Sequence, residues 1–367
     1  MSYYSTTAPS QNSDESRRIH ILGTGNIGAL VAHTLAGLPE QIRPRITLLL
    51  HRKSLLDAWR KRGEKLDVLR YEDGASQPRS GIDVELVEPD SNGGSKNSDS
   101  AEGNPAIRHL IVSVKAPQTV SALRAIKDRL GPASTILFLQ NGMGSPDEAA
   151  EKLFPALDTR PRFMQGIVLP GAFMIEPFVV RHAALGDIPM SVLPRRDDSD
   201  NEIIDSSRYL MDTLTQAPVL GAKEVEYTEL LQRQLEKLTA NAIANPLTAI
   251  LNEANHVLVH PHMQPLIRSL LAETALIIRS LPELQSVPGA QERFATKRLE
   301  DRILPYLDQV KQNISSMCQD LRAGKKTEIE YINGYLVKRA REIGVPCELN
   351  ATLLQMVLTK QAVVTKS

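Results

Sequence analysis

A glycine-punctuated turn between a short apolar strand and a helix constrains this 367-residue chain more than any other stretch. Ile19-His-Ile-Leu22 reads as a strand, Gly23-Thr24-Gly25-Asn26-Ile27-Gly28 follows at once, and Ala29 to Leu35 has the apolar content of a packed helix. In a fold that holds a dinucleotide, the first glycine makes the turn, the second lets a pyrophosphate approach the backbone, and the third lets helix pack on strand. The helix N-terminus then offers its unpaired N–H groups to the phosphates. A second strand, Ile46-Thr-Leu-Leu-Leu50, arrives at the distance such a unit requires, so residues 23–28 are expected to bind a dinucleotide.

The end of that second strand bears on which dinucleotide. A site for NAD places an acid there for the ribose 2′-hydroxyl, but here the chain reads Leu50-His51-Arg52-Lys53 with no acid before Asp57. A guanidinium pairs well with a 2′-phosphate, so Arg52 points to NADP(H); the alternative is that Arg52 and Lys53 only solvate the start of the next helix. Two further buried-strand runs, His109 to Val114 and Ser134 to Leu139, close on Lys115-Ala116-Pro117 and Gln140-Asn141-Gly142. Ligands of open parallel sheets sit beyond the carboxyl ends of the strands, which makes Lys115 and Asn141 candidates for cofactor or substrate contact, with plain turn residues as the alternative.

Ile82 to Val87 alternates like an exposed strand, and residues 163–193 read as strands on the far edge of the same sheet. Residues 1–18 are expected to be a disordered tail, 88–105 a flexible insertion, and 195–207 a linker, from their polar and aperiodic composition. The expected organisation is a dinucleotide-binding domain over 19–194 and an all-helical domain over 208–367, with helices near Pro265 to Leu281, Tyr306 to Leu321 and Thr327 to Glu342.

Within the helical part, Lys237, Asn241 and Asn245 stand four apart, each offset from the last by about 40° around a helix, so they share one face. Small apolar residues border them, and a polar seam in a buried face needs partners. Pro246 adds that the carbonyl of Ala242 loses its backbone donor. The plainer alternative is a solvated helix edge with a chance pair of asparagines. Ser316 and Glu328 lie near the join of the last two helices, where a surface hydroxyl and a first-turn acid favouring the helix dipole are the ordinary readings.

Composition excludes several classes of function. Lysine plus arginine equals aspartate plus glutamate at 43 each, which gives no basic excess for a nucleic acid or a membrane surface. Cys318 and Cys347 are the only cysteines, without metal-ligand spacing, and are expected to be reduced and structural. No apolar run reaches the roughly 18 residues of a membrane span, and the N-terminal stretch lacks a secretory core, while Asp14 and Glu15 argue against a transit peptide. The cytoplasm is the expected compartment, with the mitochondrion left open.

These residues together carry a resemblance. Lys237-Leu-Thr-Ala-Asn241-Ala-Ile-Ala-Asn245-Pro246-Leu247-Thr248-Ala249, Ser316-Met317-Cys318-Gln319-Asp320 and Thr327-Glu328-Ile329-Glu330-Tyr331-Ile332-Asn333-Gly334 are similar to three motifs that occur in this order in the ketopantoate reductases, also called 2-dehydropantoate 2-reductases. The resemblance runs from Ile19 onward. It implies an α/β chain in which an N-terminal Rossmann domain is followed by an all-helical C-terminal domain, with the active site in the cleft between them. It also implies NADPH-dependent reduction of 2-dehydropantoate to (R)-pantoate, a step towards pantothenate and coenzyme A. By the same resemblance Lys237 is the general acid, Asn241, Asn245, Ser316 and Glu328 bind substrate, and Arg52, Lys115 and Asn141 join the glycine loop in holding NADP(H). A lysine in that role needs burial that lowers its pKa towards working pH. Glu328 would either hold Lys237 or accept a hydrogen bond from the substrate's hydroxyl.

Two departures stand out: residues 88–105 are long for this position, and Val168-Leu169-Pro170 replaces the small polar residues that relatives often carry. Reduction of another 2-oxo acid, or a non-catalytic NADP(H)-binding regulator, are the competing functions. The oligomeric state is left open, a homodimer being one admissible assembly.

Overall fold

The computed structural model describes residues 17–87, 105–195 and 205–365. The expected tail up to residue 16, residues 88–104 of the expected insertion and 196–204 of the expected linker lie outside the described residues. Packing divides the chain into two units, Met1–Gln140 with Pro146–Leu230, and Asn141–Ser145 with Leu231–Ser367.

The first unit alternates strand and helix: β1 (Arg18–Leu22), α1 (Asn26–Ala36), β2 (Arg45–Leu50), α2 (Lys53–Lys61), β3 (Leu66–Leu69), β4 (Ser76–Arg79), β5 (Asp83–Leu86), β6 (His109–Val112) and α3 (Thr119–Arg124). It continues through β7 (Thr135–Phe138), α4 (Ser145–Leu153), β8 (Arg162–Gly166), β9 (Gly171–Glu176), β10 (Val179–Ala184), β11 (Ile188–Val192), α5 (Asp205–Thr215) and β12 (Ala222–Glu224). Eight strands form one sheet in the order β12-β11-β8-β7-β6-β1-β2-β5. Its centre is parallel, with Leu22 opposite Leu49 on one side and Val112 on the other. These central strands are nearly continuous apolar runs because helices cover both faces, which is why β6 and β7 are buried at every position.

The sequence led us to expect all of residues 163–193 on that sheet, but only part of the segment lies there. β8 and β11 do, pairing antiparallel, but β9 and β10 join β3 and β4 in a separate four-stranded sheet. At the turn between β9 and β10, Phe178 adopts a φ of 64° and buries its ring edge-on against Trp59, 5.0 Å between centroids, which anchors the hairpin where β10 pairs with β3. The expected start of the helical part at 208 also falls inside α5. Thr135 Oγ1 shares hydrogen bonds with the hydroxyls of Ser206 and Ser207 at 2.6 and 2.9 Å, tying α5 to β7, and β12 then extends the sheet beside β11.

The second unit is helical: α6 (Tyr227–Leu251), α7 (Gln264–Arg279), α8 (Ala290–Arg293), α9 (Thr296–Gln309), α10 (Ser316–Arg322), α11 (Asn333–Glu342) and α12 (Glu348–Val364). Its core gathers Leu235, Leu238, Ile243 and Leu247 of α6 with Leu270, Ile277 and Ile278 of α7, and Leu336 and Val357 of the last two helices. The helix expected over Tyr306 to Leu321 is two. α9 stops at Gln309, and α10 restarts where the buried Ser315 hydroxyl accepts the N–H of Cys318 at 3.1 Å, an N-cap that a run of polar residues hides from periodicity. The helix expected from Thr327 likewise opens as a short 3-10 turn, Ile329–Tyr331, before α11. Cys318 and Cys347 are free and buried. Among the described residues no helix is long and apolar enough to cross a membrane, and no cluster of side chains is set to hold a metal.

Candidate functional site

In the first unit the three glycines occupy three different environments. Gly23 has a φ of +108°, where an L side chain is strained, and its carbonyl accepts the Ser113 hydroxyl at 2.8 Å. A Cβ on Gly28 would lie 1.9 Å from the Gly23 carbonyl oxygen and 2.4 Å from Ser113 Oγ, so only glycine lets α1 pack here. At Gly25 a Cβ would meet nothing within 4 Å, which leaves open space in front of the loop. Gly25 is also the N-cap of α1, with no capping side chain and no acid in the first turn. An uncapped helix start facing open backbone fits the pyrophosphate of a dinucleotide. Thr24 and Ile27 are half-buried and Asn26 is exposed, its amide donating to the Ala172 carbonyl at 3.1 Å.

The loops after β1, β2 and β6 follow neighbouring parallel strands, so Gly23 to Gly28, Arg52 and Lys115 all lie beyond the carboxyl edge of the sheet. Arg52 is exposed at the head of α2, and no hydrogen bond or ion pair engages its side chain among the described residues. Lys115 is half-buried at the turn that follows β6.

In the second unit the four-residue spacing on α6 is realised within one helix, and Lys237 meets two groups from distant segments. Its Nζ donates to Asn141 Oδ1 at 3.0 Å, and Asn141 Nδ2 donates to Glu328 Oε2 at 3.4 Å. A cation on one side and a carboxylate on the other fix which end of the Asn141 amide points where. Glu328 is 4% exposed and therefore no surface acid. The Lys237 side chain keeps some exposed surface, but its ammonium is desolvated, and that burial brings its pKa down from 10.5 to about 8 against the opposing pull of the Glu328 charge.

Asn241, half-buried, and Asn245, 8% exposed, continue the same face and line an open hollow of about 200 Å³ together with Ser316. That is below the roughly 300–1,000 Å³ of sites for drug-sized molecules, and it suits a small polar acid. The two serines divide their work: Ser315 is spent on capping α10 and on a 2.7 Å bond with the Thr248 hydroxyl, while Ser316 is exposed to the hollow.

Asn255 and Asn313 also line the hollow and were not singled out from the sequence. Asn255 donates through Nδ2 to the Val310 carbonyl at 3.1 Å and through its N–H to the Asn313 carbonyl at 2.8 Å, while its buried Oδ1 has no partner among the described residues. Asn255 is buried and Asn313 exposed, and neither follows from local periodicity, since both lie between α-helices.

The arrangement is a desolvated ammonium that an amide links to a buried carboxylate, on the helix whose next turn carries Asn241 into the lining of a small polar hollow. It can stabilise and then protonate an oxyanion that develops on a bound small molecule.

Comparison with known proteins agrees with both units. The family model described as "Ketopantoate reductase PanE/ApbA" matches residues 19–195, and that described as "Ketopantoate reductase PanE/ApbA C terminal" matches residues 229–361. A probable 2-dehydropantoate 2-reductase of Schizosaccharomyces pombe is 33% identical over 348 residues, covering 93% of this chain and 95% of that protein. A ketoisovalerate reductase of Gibberella fujikuroi is 29% identical over 385 residues, covering 93% and 82%. Among solved structures, a probable 2-dehydropantoate 2-reductase from Bacillus subtilis superposes with a TM-score of 0.64 at 25% identity, over 94% of this chain and 99% of that one. With the two family models together covering most of the chain, the glycine loop and the lysine helix included, and with the 33% identity to the Schizosaccharomyces pombe protein, the chain belongs to the ketopantoate reductase family of oxidoreductases.

Proposed function

We propose that this protein reduces 2-dehydropantoate to (R)-pantoate with NADPH, with Lys237 as the general acid. The observation that carries the proposal is the desolvated Lys237 ammonium, held by Asn141 against the buried Glu328 and set on the same helix face as Asn241 and Asn245. The nicotinamide, when bound, supplies the hydride that the 2-oxo carbon accepts. Charge then collects on the carbonyl oxygen, where Lys237 both stabilises it and donates the proton. Asn141 orients the lysine, and Glu328 keeps it cationic through that amide. Asn241, Asn245 and Ser316 offer neutral donors and acceptors to the substrate's carboxylate and hydroxyl, so orientation comes without further charge. Gly23 to Gly28, with Thr24, Asn26 and Ile27 between the glycines, Arg52 and Lys115 form the NADP(H) site.

A second substrate has a specific observation behind it, the 29% identity to a ketoisovalerate reductase. Ketoisovalerate lacks the distal hydroxyl of 2-dehydropantoate, and a site built to bond a hydroxyl rejects the analogue without it, whereas an apolar site discriminates weakly. The polar lining by Asn241, Asn245, Asn255 and Asn313 favours the hydroxylated acid. Steady-state kcat/KM for the two acids with NADPH tests this. Preference for 2-dehydropantoate is expected, and equal or reversed values would assign the hollow to the other acid.

Arg52 governs the choice of cofactor in the same proposal. Removing a guanidinium from a phosphate costs on the order of 2 kcal/mol, so Arg52→Ala is expected to raise the KM for NADPH by roughly 30-fold and leave that for NADH nearly unchanged. Equal losses with both cofactors would make Arg52 a structural residue.

A further inference from the structure

Pro246 sits inside α6 and has no N–H, so the carbonyl of Ala242, one turn earlier, has no backbone donor at that position. The missing donor comes from another helix. Asn333, fully buried at the head of α11, donates from Nδ2 to the Ala242 carbonyl at 2.9 Å and to Asn350 Oδ1 at 3.0 Å. Asn350, also fully buried, is itself fixed: its Nδ2 donates to Glu273 Oε1 at 2.8 Å, and its own N–H does the same at 2.8 Å. The second oxygen of Glu273 takes the N–H of Leu349 at 2.9 Å, so the relay ends in a carboxylate on α7 that caps the first turn of α12. Two acceptors on one side of the Asn333 amide leave it only one orientation, with both N–H groups committed.

Two features place this relay at the site. Ala242 lies between Asn241 and Asn245, so the carbonyl that Asn333 holds belongs to the turn carrying both. Asn333 also lies just past the 3-10 turn Ile329–Tyr331, with Ile332 between, and the Tyr331 carbonyl of that turn accepts the N–H of Met143 in the segment that brings Glu328 against Asn141. One side chain therefore joins the Lys237–Asn141–Glu328 group to the Asn241–Asn245 turn.

We infer that Asn333 is a positioning residue, which sets Asn241 and Asn245 against Lys237 by supplying the donor that Pro246 withholds from the Ala242 carbonyl. The inference rests on the proposal that this site reduces a 2-oxo acid. Removing the amide leaves a buried carbonyl unpaired, and the turn moves to recover a partner, which displaces two groups that must be held to within a fraction of an ångström.

The test is a double-mutant cycle with Pro246→Ala, because alanine at 246 restores the backbone N–H that Asn333 replaces. Asn333→Ala alone is expected to lower kcat/KM for the oxo acid by roughly 10- to 100-fold, with kcat and the oxo-acid KM both affected and the NADPH KM unchanged. In the Pro246→Ala background the same substitution is expected to cost less than about threefold. A full-sized loss in both backgrounds, or an unchanged kcat/KM in folded Asn333→Ala, overturns the inference. If Asn333→Ala does not fold, recovery of soluble protein in the double variant supports it, and failure of the double variant overturns it. Thermal denaturation of the same four proteins reads the coupling without turnover, with a smaller drop in Tm expected in the Pro246→Ala background and an equal drop counting against. A parent inactive on every 2-oxo acid therefore sinks the reductase proposal while the coupling is still judged.

Discussion

Replacing Lys237 with alanine is expected to lower kcat for 2-dehydropantoate by roughly 10²–10⁴, the range for loss of a positioned acid. The protein should still fold, because alanine is a good helix former within α6 and removes a charge that is desolvated there. NADPH should bind as before, since the site proposed for its phosphates, Gly23 to Gly28, lies in the other unit. A folded Lys237→Ala protein that turns over at close to the parent rate would remove the mechanism and restore the reading of a non-catalytic NADP(H)-binding regulator.

The same lysine leaves a signature in stability. Its pKa is about 8 in the folded protein against an ordinary value of 10.5, so between these values the unfolded chain binds more protons and stability rises with pH through this group. Lys237→Met should flatten that rise in urea-denaturation midpoints, and an unaltered slope would mean that the ammonium is not desolvated.

The second large effect belongs to Gly28. Gly28→Ala places a Cβ against a backbone oxygen 1.9 Å away and a hydroxyl 2.4 Å away, neither of which is the free end of a flexible chain. Overpacking of this kind costs about 1–3 kcal/mol, and relief requires α1 to lift from the Gly23 turn. Dinucleotide affinity, measured by titration with NADPH, is expected to fall by more than about tenfold, with a lowered Tm. Gly25→Ala provides the contrast: its Cβ meets nothing within 4 Å, so Tm should hold while NADPH binding weakens if, as proposed, the pyrophosphate approaches through that open space. Unchanged affinity in both variants would take the dinucleotide away from this loop.

Much of this architecture was legible in the chain because it depends on local, periodic signals. The glycine spacing after β1, the apolar runs of β2, β6 and β7, and the four-residue rhythm of Lys237, Asn241 and Asn245 each follow from backbone geometry alone. Elements held by long-range packing were harder to see. β3 and β4 are four residues each, β4 is polar, as in Ser76-Gln-Pro-Arg79, and it is a strand through pairing with β3, which in turn pairs with β10. The break between α9 and α10 depends on a buried Ser315 cap, and Ser315 looks no different in sequence from its exposed neighbour Ser316. The loss at Ala242 was readable from Pro246, but its remedy lies 91 residues further along the chain, where nothing in the local pattern marks Asn333 as the donor. The role of Glu328 was open between lysine and substrate, and the structure puts Asn141 between Glu328 and Lys237.

The pH dependence of kcat with saturating NADPH and 2-dehydropantoate tests the central claim most directly. If the Lys237 ammonium donates the proton, kcat is level while the lysine is charged and falls as pH rises through its pKa, near 8 before substrate adds its own charge to the site. A carboxylate bound beside the ammonium shifts that limb upward, and Lys237→Ala abolishes it. Turnover that stays level from neutral pH to well above 10.5, or a descending limb that survives in Lys237→Ala, would contradict the assignment of Lys237 as the acid.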